Sequence, residues 1–441
     1  MLKRKVEKQL FEWKNNKDRK PLIVKGLRQC GKTFSVKKFA KENYKSVIYI
    51  NFQKNDQYNK IFEHSLEVDD IKIQISTYVK DIQFIDNDTV IILDEIQECP
   101  RARTALKFFK IDGRYDVIAT GSLLGIKGYK DNNESIPVGY EEVIKMFPLD
   151  FEEFLWAKGI NDNVVNEIKR CFDNHERISE AIHYRMRELL LQYIVVGGMP
   201  EVVDKFIDTN NVNEVVKLKK EIINSFKEDM IKYAEKNDKS KITECFASIP
   251  NQLAKANKKF QYSLLKKKGT KNDYIGVLEW LENYGIIKRC YNLNHLELPL
   301  GANKDTDKFK IYVSDIGLLI AMLDEDSYVD VLEGNLGIYK GAVYENLFAD
   351  FLIKNDKDLY YFQNDASLEI DFIMKLNKEL TLIEVKASTG NSKSLRTVLN
   401  DKKKYNVEKA IKVGDYNIGD SNGILTLPFY MLFLVKLECY A

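Results

Sequence analysis

The octapeptide Gly26-Leu27-Arg28-Gln29-Cys30-Gly31-Lys32-Thr33 places two glycines, a lysine and a hydroxyl at the spacing G-x-x-x-x-G-K-[ST]. Glycines at those positions let backbone N–H groups turn inward around phosphates. The lysine then reaches the β- and γ-phosphates, and the hydroxyl beside it can sit on Mg2+. At average residue frequencies the pattern arises by chance in on the order of one chain in a hundred. Its flanks also suit a phosphate-binding loop (P-loop): apolar Leu22-Ile23-Val24 runs in, and a helical pattern from Thr33 to Glu42 runs out. Gly26, Gln29, Cys30, Gly31, Lys32 and Thr33 are therefore the candidate nucleotide contacts, with ATP and Mg2+ as the implied ligands.

A second segment supplies acids. In Thr89-Val90-Ile91-Ile92-Leu93-Asp94-Glu95 an apolar, strand-like run ends in two carboxylates, where a parallel sheet presents its ligand-binding edge. Asp94 is placed to hold Mg2+ through water, and Glu95 to polarise an attacking water. A third run, Tyr115 to Thr120, opens onto Gly121-Ser122. In ATPases with an extra strand between the P-loop strand and the acidic strand, a small polar residue here senses the γ-phosphate. Ser122 fits that role, with Thr120 as the alternative, although a polar residue also ends many ordinary strands. Arg101, Arg103 and Arg114 are candidate arginine fingers, weighed against the commoner solvated surface arginine.

These groups need a scaffold. Strand-length apolar runs at Leu22–Val24, Val47–Phe52, Thr89–Leu93 and Asp116–Thr120 alternate with helical, charge-rich stretches. Continuous rather than alternating apolar runs predict strands buried on both faces of a parallel sheet, in a doubly wound α/β fold. From Phe151 to about Glu235 the spacing is helical, broken by a turn at Gly197-Gly198-Met199-Pro200. Short helices follow from Ser240, with a hairpin through Ile286–Asn292 and Phe309–Val313. A helix over Lys340–Lys354 then precedes strand-like pieces at Leu359–Gln363, Glu369–Leu376, Leu380–Lys386 and Ala410–Gly414. Leu425 to Leu437, interrupted by Lys436, reads as a buried terminal strand rather than a membrane span, which takes roughly 20 apolar residues.

With 441 residues, two to four domains are expected. A composition of 44% apolar and 30% charged residues suits a globular chain. The formal charge of +2 gives no global case for nucleic acid, so any such case must rest on a local patch. Cys30, Cys99, Cys171, Cys245, Cys290 and Cys439 stand singly, which argues for reduced thiols and a cytoplasmic setting rather than zinc or disulfides. The charged first twenty residues lack a secretory apolar core.

The segments GLRQCGKT, VIILDEIQECP, IATGSLL, FPLDFEEFL and GGMPEVV, in that order, resemble the AAA-type ATPases of archaea and bacteria that carry a C-terminal domain of unknown function. This part of the likeness covers roughly the first 205 residues. YENLFADFL, EIDFIM and LIEVKAS are similar to that C-terminal domain, which itself resembles restriction-endonuclease folds. The implied fold class is α/β: a P-loop NTPase parallel sheet, a helical lid, a winged-helix-like segment and a C-terminal α/β restriction-endonuclease-like domain. The expected boundaries are 1–148, 149–238, 239–331 and 332–441. AAA-type modules often place ATP at subunit interfaces, so a homo-oligomer is compatible with the resemblance.

Lysines 255, 258, 259, 266, 267, 268 and 271 form a local basic excess with no intervening acid. The run Asn272 to Asn283, with Ile275, Leu278 and Leu281 expected inward and Gly285 at its end, followed by the hairpin, resembles a winged helix. DNA contact through phosphates is one reading, and a protein–protein module or a solvated surface is the other.

Near the C-terminus, Glu384 and Lys386 lie two apart on one strand face. Asp371 can lie beside them if the strands pair through an Asn377-Lys378 turn, and Glu345 on the preceding helix can close the site. The set matches the restriction-endonuclease-like constellation: carboxylates on Mg2+ (Glu345, Asp371, Glu384), with Asp371, Glu384 and Lys386 as the catalytic group. The competing reading is a hairpin with solvent-facing charges. The functional expectation is an ATPase that regulates or drives action on nucleic acid, with a metal-dependent nuclease site at the C-terminus. The alternative is a nucleotide-dependent switch that binds a protein partner and cleaves nothing. A small-molecule kinase fits less well, because Asp94-Glu95 favours water as the nucleophile.

Overall fold

The computed structural model describes residues 2–122, 139–255, 258–323, 326–364, 368–387, 392–421 and 423–437. The chain divides into two compact units, residues 3–148 and the chain from Leu149 onward.

In the first unit β1 (Leu22–Lys25), β2 (Ser46–Asn51), β3 (Thr89–Asp94), β4 (Asp116–Gly121) and β5 (Glu142–Lys145) form one sheet in the order β2-β3-β4-β1-β5. Every neighbouring pair is parallel. The four expected strands are present, and every residue of β3 is buried, as a strand covered on both faces requires. β4 lies between β1 and β3, so the P-loop strand and the acidic strand are not neighbours. β5 was not expected. It is a short edge strand with Val143 exposed, and its alternation is too brief to stand out.

The loop after β1 needs both glycines. Gly31 has φ +95° at the N-terminus of the Lys32–Asn43 helix, a backbone region costly for residues with a Cβ. A Cβ on Gly26 would lie 1.9 Å from the Met146 carbonyl oxygen. Asp94 ends β3, and Glu95 turns the chain with φ +56°.

The second unit begins with helices at Phe151–Ala157, Asp162–Asn174, Glu180–Val196, Pro200–Thr209 and Val212–Tyr233. The expected turn separates the third and fourth of these. Helices Lys239–Leu253 and Lys271–Tyr284 follow, the latter ended by Gly285 at φ +87°. Its buried side is Tyr274, Val277, Leu278, Leu281 and Tyr284, with Ile275 only half-buried. β6 (Ile287–Leu293) and β7 (Lys304–Val313) pair as the expected antiparallel hairpin. β6 also pairs in parallel with β8 (Leu359–Gln363), and β8 pairs with β9 (Glu369–Ile370). The hairpin is thereby built into a sheet ordered β7-β6-β8-β9 with strands from beyond residue 332.

The second sheet of this unit runs β10 (Phe372–Leu376), β11 (Glu379–Lys386), β12 (Lys409–Gly414), β14 (Ile424–Pro428), β13 (Gly419–Ser421). Asn377 and Lys378, with φ +47° and +66°, make the β10–β11 turn, as a two-residue hairpin loop requires. The expected strand over Glu369–Leu376 breaks at Asp371, because its two halves join different sheets. The apolar stretch after Leu425 is not one strand either. β14 stops at Pro428, which has no N–H to continue a ladder, and Phe429–Leu434 forms a 3-10 helix. No helix among the described residues is long and apolar enough to cross a membrane. Cys30, Cys99, Cys171, Cys245 and Cys290 are buried and form no disulfide among the described residues, and Cys439 lies outside those residues.

Lys219, on the Val212–Tyr233 helix, is fully buried, and its ammonium donates to the Val195 carbonyl at the end of the Glu180–Val196 helix. Burial pulls its pKa down to about 7, only partly opposed by Asp315. The unfolded chain holds this proton up to about pH 10.5, so stability rises with pH between about 7 and 10.5, and the burial penalty is fully present below 7. Lys219→Met is expected to be more stable at pH 7, by up to about 5 kcal/mol. The gain should shrink towards pH 10 in paired thermal melts. A variant that loses stability equally at both pH values would show that the charge costs the fold nothing.

Candidate nucleotide site and a buried carboxylate cluster

The nucleotide-site candidates of the first unit converge. The Thr33 hydroxyl donates to Asp94 Oδ1 at 2.9 Å, and the Thr120 hydroxyl also donates to Asp94 Oδ1. Tyr49 Oη and Asn51 Nδ2, from β2, donate to Asp94 Oδ2 at 2.6 and 2.7 Å. Asp94 is thus held by four side chains from three neighbouring elements. Burial, with Asp94 next, pushes the Tyr49 phenol up to about 12, so it stays a donor. Lys32 is buried, and its ammonium donates to the Gly26 and Leu27 carbonyls at 3.0 Å each, which turns it into the loop. The loop opens onto the N-terminus of a twelve-residue helix, a ready anion site. Arg4 braces it from behind, donating to the carbonyls of Cys30 (3.0 Å) and Phe147 (2.6 Å). Glu95 accepts from Gln97 Nε2.

Ser122 is buried at the end of β4, but Thr120, the alternative, is the residue in contact with Asp94. Arg101 donates to the Phe62 and His64 carbonyls, Arg103 pairs with Glu141, and Arg114 pairs with Asp112 and Asp69. Each candidate finger is engaged within its own unit. Tyr49 and Asn51 were missed. Their signal was the alternation Tyr-x-Asn at the end of a strand, which carries meaning only once β2 is known to neighbour β3.

At the other end of the chain Asp371 lies at the break between β9 and β10 and accepts from the Val385 N–H at 2.8 Å. The β10–β11 ladder begins at Phe372↔Ile383, one residue after Asp371, and Glu384 pairs with Lys386. Glu345 is buried on the Lys340–Lys354 helix, but its carboxylate is already engaged by Lys258, by Tyr312 Oη at 3.0 Å and by Lys310 at 3.6 Å. Lys310 also donates to Glu369 at 2.7 Å. Burial opposes the charge of Glu345, yet Lys310 and Lys258 hold its carboxyl below the usual range. Burial, with repulsion from Glu345 next, pushes Asp371 up to about 7. Burial also opposes the charge of Lys310, and Glu345, Glu369 and Asp371 outweigh it.

The expectation of a metal held jointly by Glu345, Asp371 and Glu384 does not match this arrangement. No group of three acidic, histidine or cysteine side chains among the described residues is placed to hold a metal ion. Glu345, the member meant to close the site, is already neutralised by lysine. Lys258, Lys310, Tyr312 and Glu369 were not anticipated, because a lysine in a β-strand reads as surface until the partner strands are known.

Residues 18–155 match the family model of an AAA domain. Residues 187–328 and 340–430 match two domains of unknown function, DUF8612 and DUF4143. No curated protein matches the chain. Among solved structures the chain is similar to the Walker-type ATPase of Pyrococcus abyssi, at 14% identity over 73% of this chain and 96% of that one, with a TM-score of 0.43. It is also similar to the ORC1 protein of Aeropyrum pernix solved with DNA (13% identity, 76% and 92%, TM-score 0.29). A third is AMPPCP-bound DnaA of Aquifex aeolicus (13%, 63% and 87%, 0.28). At these scores the likenesses carry no functional weight. With its parallel sheet and phosphate-binding loop the first unit has a P-loop NTPase α/β fold, and over residues 18–155 it matches the model of an AAA domain.

Proposed function

We propose that this chain hydrolyses ATP and works as a nucleotide-dependent switch. The observation that carries the reading is the Thr33–Asp94 hydrogen bond beside a Lys32 turned into the loop. In this reading backbone N–H groups from Gly26 to Thr33, with Gln29 and Cys30 among them, wrap the phosphates, and Lys32 neutralises the β- and γ-oxygens. Mg2+, held by Thr33 and through water by Asp94, would offset charge building on the same oxygens. Glu95 orients and polarises the attacking water, and Thr120 or Ser122 reports the γ-phosphate to β4.

The switch is favoured over strand cleavage because the carboxylates at the C-terminal end are neutralised by internal lysines. Action on nucleic acid is the second reading. Lys266, Lys267 and Lys268 favour it, being exposed ahead of the Lys271–Tyr284 helix. That helix, however, exposes Asp273 and Glu279, and Lys271 at its start pairs with Asp307. An acidic face is repelled by a phosphate groove, so contact would run through the lysine loop.

ATP turnover measured with and without duplex DNA, at low and high salt, separates the two. The switch predicts turnover unchanged within about twofold. Stimulation that fades steeply with salt would move the reading to nucleic acid, with Lys266, Lys267 and Lys268 as the first residues to replace.

A further inference from the structure

Gln97 is buried, at 4% exposure, in the 3-10 turn Ile96–Glu98 that follows β3. Glutamine is mostly a surface residue, because an amide taken out of water costs free energy for every hydrogen bond it does not regain. Here only one end of the amide has regained a partner. Nε2 donates to Glu95 Oε2 at 2.5 Å, whereas Oε1 is buried with no hydrogen-bond partner among the described residues. The two ends cannot be exchanged, since only the N–H end can donate to a carboxylate.

The backbone supports this pair at some cost. Glu95 has φ +56°, in the left-handed region that a residue with a Cβ seldom adopts. That residue ends β3 and starts the 3-10 turn, which lies beside β4, the strand that carries Thr120. Asp94, one residue earlier, has both carboxylate oxygens engaged by side-chain donors. The acceptors left for a water at this end of β3 therefore belong to Glu95 and Gln97.

We propose that Gln97 positions the attacking water jointly with Glu95: Nε2 fixes the Glu95 carboxylate, and Oε1 accepts one of the water's two hydrogens. The inference rests on the ATPase reading above. A water with one hydrogen on Glu95 and the other on Gln97 keeps a lone pair for the γ-phosphorus. As its oxygen bonds to that phosphorus, the bond to the β–γ bridging oxygen breaks and the electron pair leaves with ADP. One water proton passes to the Glu95 carboxylate, and the hydrogen held by Gln97 stays with the phosphate. Two fixed acceptors orient the water more tightly than one carboxylate does, and a misplacement of about 1 Å costs about 100-fold in rate.

The test combines steady-state ATP turnover, binding of a fluorescent ATP analogue and a thermal melt, all on the full chain. Gln97→Met keeps the length of the side chain and removes both amide atoms. Its kcat is expected to fall about 100-fold, with KM and analogue affinity within about twofold of wild type. Its melting temperature should not fall, because the orphaned oxygen is removed with the amide. A residue serving only the fold would show a lower melt, with turnover and binding lost together. Gln97→Met at wild-type kcat overturns the proposal, as does a loss of turnover matched by an equal loss of binding. Glu95→Gln runs alongside. Undiminished turnover in that variant sinks the ATPase reading of this strand end. An inactive Glu95→Gln beside a fully active Gln97→Met sinks the role of Gln97 alone. Should Gln97→Met not fold, Gln97→Asn keeps the amide but is one methylene too short. Its kcat should fall by at least about tenfold with binding kept, and wild-type kcat again overturns the proposal.

Discussion

Replacing Lys32 with alanine is expected to lower ATP turnover by on the order of 100- to 1,000-fold, the usual cost of losing one preorganised donor to developing charge. That corresponds to about 3 to 4 kcal/mol of transition-state stabilisation. The ammonium is buried inside the loop against the Gly26 and Leu27 carbonyls, so it is positioned before any phosphate arrives. The fold should tolerate the change, since the helix starting at Lys32 keeps its packing through Val36, Phe39 and Ala40. Steady-state turnover and the binding of a fluorescent ATP analogue are the two measurements. Glu95→Gln is the companion variant: as the proposed water-orienting group, it should leave binding intact and remove turnover. Lys32→Ala with undiminished turnover would sink the assignment of this loop.

The second large effect is on stability. Lys354→Met is expected to cost the second unit about 3 to 5 kcal/mol. The Lys354 ammonium is fully buried, donates to the Leu149 carbonyl (2.9 Å), Tyr193 Oη (2.7 Å) and Asp315 (3.1 Å), and pairs with Asp350 at 2.9 Å. Methionine fills the same space but leaves two buried carboxylates without a counter-ion. Asp315 also accepts from the Gly198 and Leu318 N–H groups, and Asp350 from that of Ile316, so neither carboxylate can turn away.

The deficit should depend on pH. Burial pushes Asp350 up to about 7 even with Lys354 present. An acid whose folded pKa lies above its unfolded value loses stability as pH rises from about 4 to 7. Without the lysine the Asp350 carboxyl shifts further up, so the gap to wild type should widen from pH 5 to pH 8. Thermal melts at both values test this, and adding Asp350→Asn should recover part of the loss. A gap that stays constant with pH would mean that the lysine acts by packing alone.

Much of the first unit was legible because its signals are local. Four continuous apolar runs gave four parallel strands, and the glycine, lysine and hydroxyl spacing marked the loop, since the backbone geometry of a phosphate cradle depends on neighbours in sequence. Asp94 was legible for the same reason, as the acid at the end of a fully buried run. Its hydrogen-bond partners were not. Tyr49, Asn51 and Thr120 meet Asp94 only because β2 and β4 flank β3, and strand order is a long-range property.

The second unit shows the limit more sharply. Sequence alone determined the helical character of residues 151–235, the β6–β7 hairpin, and the neighbourhood of Asp371, Glu384 and Lys386, because two-residue alternation and a tight turn set which side chains share a face. Tertiary structure alone decided what surrounds those charges. It broke a strand at Asp371 to serve two sheets and brought Lys310 from β7 and Lys258 from a loop onto Glu345. It also set Lys354 between two aspartates. The physical reason is that a charge's meaning depends on its neighbours within a few ångströms and on how much water they exclude, and neither is encoded in the spacing of residues along the chain.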